Sequence, residues 1–305
     1  MNDKASNGTL FADESKNQRL VAFLDLLGFS ELVSRTDFVL VLDAYVKQIR
    51  ASVSGLSERL NYVVFSDSLV IYSSELSYEA AQDMMGSVAD LCFNLLTKHQ
   101  LAIRGSITAG SLSFYRDGND VVVAGPPIVE AYRYETQQDW IGVLVTPRLI
   151  SMLPELVAYS DFGNLRSPNA DIFKEQIQWK LSLQRSQAVP FKGNQQFNGL
   201  VVVPHSHTCI DSCHILVDLK EYQASLDGLL LIAPSPDAQQ KYRKTSSFIE
   251  NVGQLWQEVW KSDAFRNTMW SWEETKTESG VSRTLKQPER LPVRYKAPEL
   301  EIHHD

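Results

Sequence analysis

The sequence predicts an α+β sandwich of βαββαβ order, with helices on one sheet face, a further strand pair appended and a helical extension after it. Three observations carry this. Apolar runs rich in Val, Ile, Phe and Tyr at 20–26, 60–66, 69–73 and 101–112 have strand length and strand composition. Segments of helical period at 28–54 and 77–99 separate the first run from the next two and those from the fourth. A third helix, strand and hairpin set follows at 126–203, and that alternation of short strands with helices is how a layered α+β domain reads.

Taken in order, residues 20–26 form a buried strand, and Gly28 to Ser54 a helix with Phe29, Leu32, Val33, Leu40, Ala44 and Ile49 near helical spacing. The runs 60–66 and 69–73 are joined by Ser66-Asp67-Ser68, a tight hairpin with a carboxylate at its tip. The helix at 77–99 carries Ala80, Met84, Val88, Leu91, Leu95 and Leu96 on one face and ends in Lys98-His99, basic as a helix C-terminus prefers. Residues 101–112 alternate toward strand, 115–120 form a turn returning into 121–124, and Pro126 or Pro127 opens a helix to about Glu135. Trp140 to Val145 is strand-like, and Thr146-Pro147 opens a short helix that ends before Pro154. Residues 155–187 are an irregular insertion, and a hairpin resumes through Phe191-Lys192-Gly193-Asn194 and 199–203. Beyond Pro204 the pattern gives a strand-like piece at 214–219 and a helix from Asp237 to about Trp260. The apolar side chains of that helix read as core rather than as a cofactor stack. From Trp270 the chain turns polar and reads as a tail. The domain plan is a polar segment 1–17, a main domain 18–203 and an extension 204–305.

Composition limits the function. The chain has 305 residues, 44% of them hydrophobic, enough to bury a core. A net charge of -8 and a pI near 5.3 argue against electrostatic capture of nucleic acid or of an anionic membrane, so a nucleotide would need a local basic pocket. The polar start lacks the apolar core of a signal peptide, and no stretch approaches a membrane span, which predicts a cytoplasmic protein. Three cysteines fit a reducing compartment. His205, His207, Cys209, Cys213 and His214 crowd into ten residues and could supply zinc ligands, although their spacing matches no standard finger; a strand end and turn is the other reading.

The informative residues are Asp25 and Asp67, each planted in strand-like apolar sequence. A charge there is costly unless neutralised, and a divalent cation shared by neighbouring strands would neutralise both. Taken singly, Asp25 also reads as a helix N-cap and Asp67 as a turn former. Arg104 also reads as a surface strand residue paired across to an acid, and Arg133 as a partner of Glu130 on its own helix.

Five pieces in order resemble one family. Phe23-Leu24-Asp25-Leu26-Leu27-Gly28-Phe29-Ser30 is similar to the first metal-binding signature of the class III nucleotidyl cyclases, and Phe65-Ser66-Asp67-Ser68 to the hairpin with their second metal aspartate. Arg104-Gly105-Ser106-Ile107-Thr108-Ala109-Gly110 resembles their Arg-x-Gly-Ile-His-x-Gly strand, and the run Gly125 to Glu135 lies over their catalytic helix. Phe191-Lys192-Gly193 resembles their late phosphate-binding hairpin. The resemblance covers about residues 18–203 and implies a ferredoxin-like βαββαβ cyclase fold. It implies that two cations, Mn²⁺ or Mg²⁺, are held by Asp25, Asp67 and the carbonyl of Leu26, and that amides from Leu27 through Gly28 to Phe29 hold phosphate oxygens. Arg104 and Lys192 would hold the triphosphate tail, and Arg133 would stabilise charge at the α-phosphoryl group. It further implies a homodimer with two shared sites.

The sequence departs from the family at base recognition. Pro126 stands where a base-reading Asp is usual, Val63 where a base-reading Lys is, and Val129 where a ribose-orienting Asn is. Both metal carboxylates and all three cations are nevertheless kept. This combination resembles the stand-alone pyrimidine cyclases of the bacterial Pycsar anti-phage system, which make cyclic UMP or cyclic CMP for a separate effector. Arg50, Asn61, Tyr62 and Tyr132 are candidate pocket residues; Arg50 reads equally as a solvated helix residue, and as a donor to a base carbonyl it favours UTP. A purine cyclase with an atypical pocket and an inactive nucleotide-binding module are the alternatives.

Overall fold

A computed structural model describes residues 17–55, 57–117, 120–154, 156, 184–206, 212–261, 271–277 and 280–286. Strand β1 (Gln18–Leu26) is followed by helices α1 (Phe29–Val33) and α2 (Phe38–Ile49), the latter running into a π-helical turn, Arg50–Ser54. The β2 (Leu60–Phe65) and β3 (Ser68–Ser73) hairpin, α3 (Tyr78–His99) and β4 (Ile103–Ser111) complete a βαββαβ unit. Its strands lie in the order β2-β3-β1-β4, all antiparallel, the arrangement of a ferredoxin-like sheet. The β5 (Ser113–Asp117) and β6 (Asp120–Ala124) hairpin forms a separate ribbon before α4 (Pro126–Gln137). Strand β7 (Val143–Val145) then joins β4 in parallel, and after α5 (Pro147–Met152) the hairpin β8 (Gln184–Phe191) and β9 (Gln195–Val202) extends the sheet to seven strands.

Alternation along β1 sorts the two faces of this sheet. Leu20, Ala22, Leu24 and Leu26 enter an aliphatic cluster with Ile49 and Val53 and with Met84, Val88, Leu91 and Leu95 of α3. Val21, Phe23 and Asp25 point to the other face, where α4 lies: Tyr132 meets Phe23 edge-on at 5.5 Å, and Ser106 Oγ donates to the Ala131 carbonyl at 2.8 Å. Helices therefore cover both faces, not one as the sequence pattern indicates. The register of β1 on β4 leaves no room for a side chain at Gly105, whose Cβ would meet the Phe23 carbonyl and the Leu24 side chain.

Local chemistry explains the boundaries. Ser77 caps α3 by accepting from the Ala80 N–H at 3.1 Å, and Thr146 caps α5. The helix expected over 28–54 is broken at Ser34–Asp37, which resets its phase, so Leu40 is exposed while Tyr45 is buried; Val33, at the end of α1 before the break, is exposed as well. Only Val143–Val145 of the predicted 140–145 strand pairs. The strand expected at 214–219 is instead the start of α6 (Ser212–Ile232); Leu219, Tyr222, Leu226 and Leu229 are buried at helical spacing, and that longer period overrides the local β-branched run. With α7 (Pro236–Lys261) it packs Phe248, Ile249 and Val252 into a second cluster with Trp140, Leu144, Val189 and Val201, so residues beyond 204 share a core with the sheet. Where a polar tail was expected, β10 (Ser271–Thr277) and β11 (Gly280–Lys286) pair as a hairpin. The segments 1–16 and 157–183 lie outside the described residues, as do His207 and Cys209 of the His/Cys group, while Cys213 and His214 fall in the first turn of α6. Among the described residues, no helix is long and apolar enough to cross a membrane.

Candidate active site

The two aspartates meet where β1 ends beside the β2–β3 hairpin. Asp25 is directly opposite Ser68 in the β1–β3 register, and the Leu26 N–H donates to the Asp67 carbonyl at 2.9 Å, pinning the hairpin tip to the end of β1. The tip is tight: Ser66 takes a left-handed conformation, φ 55°, and Asp67 follows it. Both side chains are partly buried. Burial pushes the Asp25 carboxyl up to about 6, helped by the negative charges of Glu135 and Asp67 and opposed by Arg104. Burial also raises the Tyr45 hydroxyl, and Asp25 and Asp67 add to that rise, which puts this α2 phenol in the field of both acids. Tyr45 and Glu135 are site neighbours to which sequence reasoning gave no role; Tyr45 is marked only as a polar group at a helical core position, and Glu135 closes the run that lies over the family's catalytic helix.

Asp25 thus stands among two further carboxylates and one guanidinium, an excess of negative charge that fits a divalent cation. Among the described residues, no group of three His, Cys, Asp or Glu side chains is placed to hold a metal. A cation at Asp25 and Asp67 would therefore complete its shell with backbone carbonyl, water or phosphate oxygens, as Mg²⁺ commonly does.

Several expected phosphate and base contacts are not where the sequence put them. Arg104 is buried, and its guanidinium is committed: Nε donates to Glu135 Oε1 at 2.7 Å, Nη2 bonds the same oxygen, and Nη1 donates to the Gln138 carbonyl at 3.0 Å. It is a core residue paired to an acid rather than a free triphosphate ligand. The Leu27 N–H is likewise taken by the Ala102 carbonyl at 2.9 Å. Gly28 caps the five-residue α1 with φ 75°, a conformation that favours glycine, and Phe29 packs against Phe38. Arg50 is exposed on the π turn, and its Ile49 and Val53 neighbours belong to the aliphatic cluster. Alternation along β2 also divides the pocket set: Tyr62 packs on the aliphatic cluster, whereas Val63 joins Val21, Val70, Tyr72 and Ile128 on the face of Asp25. Pro126 is exposed at the start of α4, and Asn61 is exposed on β2.

Arg133 is exposed on α4, on the side turned away from the sheet; Ala131 and Glu135 point inward. It lines an open groove of about 670 Å³ with Arg148, Glu130, Tyr134, Phe191 and Phe197. Glu130 pairs with Arg148, 3.7 Å away, rather than with Arg133. Arg148, on α5, is a second cation on this groove that no motif marks. Phe191 and Phe197 stack at 5.4 Å. Lys192 is exposed at the tip of the β8–β9 hairpin, where Gly193 has φ 73°, and its charge reaches Asp237 of α7. One chain therefore gathers the acids beneath α4 and presents Arg133 outward, without bringing the two together.

No protein-family model matches the sequence, and no curated protein does. Solved structures similar to it include the adenylyl cyclase CyaB from P. aeruginosa, at 15% identity and a TM-score of 0.43, covering 62% of this chain and 95% of that one. The dimeric guanylyl cyclase domain of the RhoGC fusion protein from the fungus Blastocladiella emersonii is similar at 15% identity and a TM-score of 0.40, over 46% of this chain and 84% of that one. An adenylate cyclase from Trypanosoma brucei, in its monomeric state, is similar at 14% identity and a TM-score of 0.38, over 50% and 80%.

Proposed function

We propose that the chain is a metal-dependent nucleotidyl cyclase of the class III kind, turning UTP or CTP into the 3′,5′-cyclic nucleotide and pyrophosphate. The observation that carries this reading is the convergence of Asp25 and Asp67 at one strand end, within an excess of negative charge. Two divalent cations, Mn²⁺ or Mg²⁺, held there with the Leu26 carbonyl would supply charge stabilisation at the attacking and departing oxygens. The ribose 3′-oxygen attacks the α-phosphorus in line, the bond to the β-phosphate oxygen breaks, and the hydroxyl proton passes to water.

Because Arg133 faces away from its own acids, the reading assigns it to the acids of a second copy, in a homodimer with two shared sites. Val129 and Tyr132, 55% and 52% exposed on the same helix, supply apolar area for that contact. Arg133 would then stabilise charge on the α-phosphoryl group, with Lys192, and Arg148 in place of the committed Arg104, toward the triphosphate tail. The amides of Gly28 and Phe29 remain candidates for phosphate oxygens. Val63 and Pro126 carry no charge at the positions where purine-reading side chains would stand, which supports a pyrimidine. The cyclic product would serve as a messenger read by a separate effector in anti-phage defence.

Incubating the purified chain with each of the four nucleoside triphosphates and Mn²⁺, and weighing the products, tests this. The expected result is a cyclic pyrimidine nucleotide and pyrophosphate. Conversion of ATP or GTP alone would replace the substrate assignment, and binding without turnover would replace the enzymatic one.

A further inference from the structure

Asp25 and Arg104 face each other directly across β1 and β4, on the same face of the sheet. Opposite charges at such a position ordinarily pair, and an Arg–carboxylate pair is among the strongest of side-chain contacts. Here they do not. The Arg104 guanidinium turns to the last turn of α4, where Nε and Nη2 both bond Glu135 Oε1 and Nη1 bonds the Gln138 carbonyl. Gln138 is itself fixed: its Nε2 donates to the Gly105 carbonyl at 2.8 Å, and its Oε1 accepts from Trp140 Nε1 at 2.9 Å. Arg104 and Glu135 are 7% and 2% exposed, so neither charge is shared with water.

Holding α4 to the sheet does not require this pair. Apolar residues of similar volume do the same work at buried positions, often with greater stability. What an apolar pair could not do is govern the charge beside Asp25. Resting on the metal reading above, we infer that Glu135 is a positioning residue that holds the Arg104 guanidinium off Asp25, keeping the Asp25 carboxylate available to a divalent cation. Glu135 sequesters a cation that would otherwise satisfy the metal ligand from across the strand. Arg104 in turn keeps the buried Glu135 charge from joining the two aspartates as a third unpaired acid.

The test is Mn²⁺ affinity, read from the electron paramagnetic resonance signal of free Mn²⁺ without substrate, on full-length protein whose folding is checked by circular dichroism. Glu135→Gln keeps the shape of the side chain and removes the charge that draws Arg104 away from Asp25; its dissociation constant should rise about tenfold, the size of effect that groups behind a metal ligand typically have. Adding Arg104→Met to Glu135→Gln removes the competing guanidinium, and affinity should return to within about threefold of the parent. Glu135→Asp, which keeps the charge, should bind almost as the parent does, and it serves with the double variant if Glu135→Gln does not fold. Unchanged affinity in Glu135→Gln, or a double variant as weak as the single or weaker, would overturn the inference and leave a purely structural pair. Failure of the unaltered protein to bind Mn²⁺ would overturn the metal reading itself.

Discussion

The two faces of the sheet obey different rules. Beneath α2 and α3, β1 contributes four buried aliphatic side chains to an apolar cluster, so burial and close packing decide what can stand against them, and the buried Asp90 of α3 is held by Ser52 and Asn94. Beneath α4, the same strand contributes Val21, Phe23 and Asp25, and its neighbours include Glu135, Arg104 and Asp67. The first face is organised for stability. The second holds like charges together at a cost in stability, and the raised Asp25 carboxyl among them is the kind of perturbed group that marks functional sites.

The largest expected contrast follows from substituting one acid. Asp67→Asn should reduce cyclic nucleotide formation by about 10³-fold or more, the loss of several kcal/mol of stabilisation, while leaving the melting temperature unchanged or higher. If turnover survived, the charged face would not be the site. Next in size, Arg133→Ala should lower the turnover number by about 10²–10³-fold with no loss of stability, since the side chain is exposed. Arg133→Lys should restore little, because a point charge does not replace the planar fork.

On the aliphatic face the signs reverse. Leu24→Ala should cost about 2–5 kcal/mol, seen as a lower denaturation midpoint, with the activity of the remaining folded protein unchanged. The smallest and most diagnostic effect concerns pH. Burial and neighbouring acids raise the Asp25 carboxyl to about 6 from its usual 3.8, so the folded chain retains a proton there that the unfolded chain has already released. The stability tied to that proton is complete below about 4 and lost as the pH rises through about 6. Asp25→Asn should therefore raise the melting temperature of the metal-free protein at pH 7.5 by a few degrees, and the gain should vanish near pH 4. Mn²⁺ binding should weaken below about pH 6, as the ligand becomes protonated.

Much of the charged face was legible because its signals are local. An Asp in an apolar run and an Asp at a hairpin tip announce themselves, and the turn chemistry of Ser66-Asp67-Ser68 fixes where the second one stands. Long strands and the capped, strongly periodic α3 were legible for the same reason. Partners distant in sequence were not. Nothing local to Arg104 signals Glu135, 31 residues away, and a buried ion pair there competes with the phosphate role that the residue type invites. The face of a residue was partly available: alternation alone separates Tyr62 from Val63, and helix phase separates Arg133 from Glu135. The phase of Arg50 was hidden by the break at Ser34–Asp37, and α6 by the β-branched start that masks its longer period.

The most direct test of acids and arginine acting across two copies is complementation. Asp67→Asn and Arg133→Ala chains, each inactive alone, would be unfolded and refolded together and assayed with Mn²⁺ and the preferred triphosphate. Random pairing puts half of the dimers in the mixed form, each with one intact site, so activity should recover to about a quarter of the parent's. A mixture as inactive as its components, from chains shown to pair, would contradict the shared site.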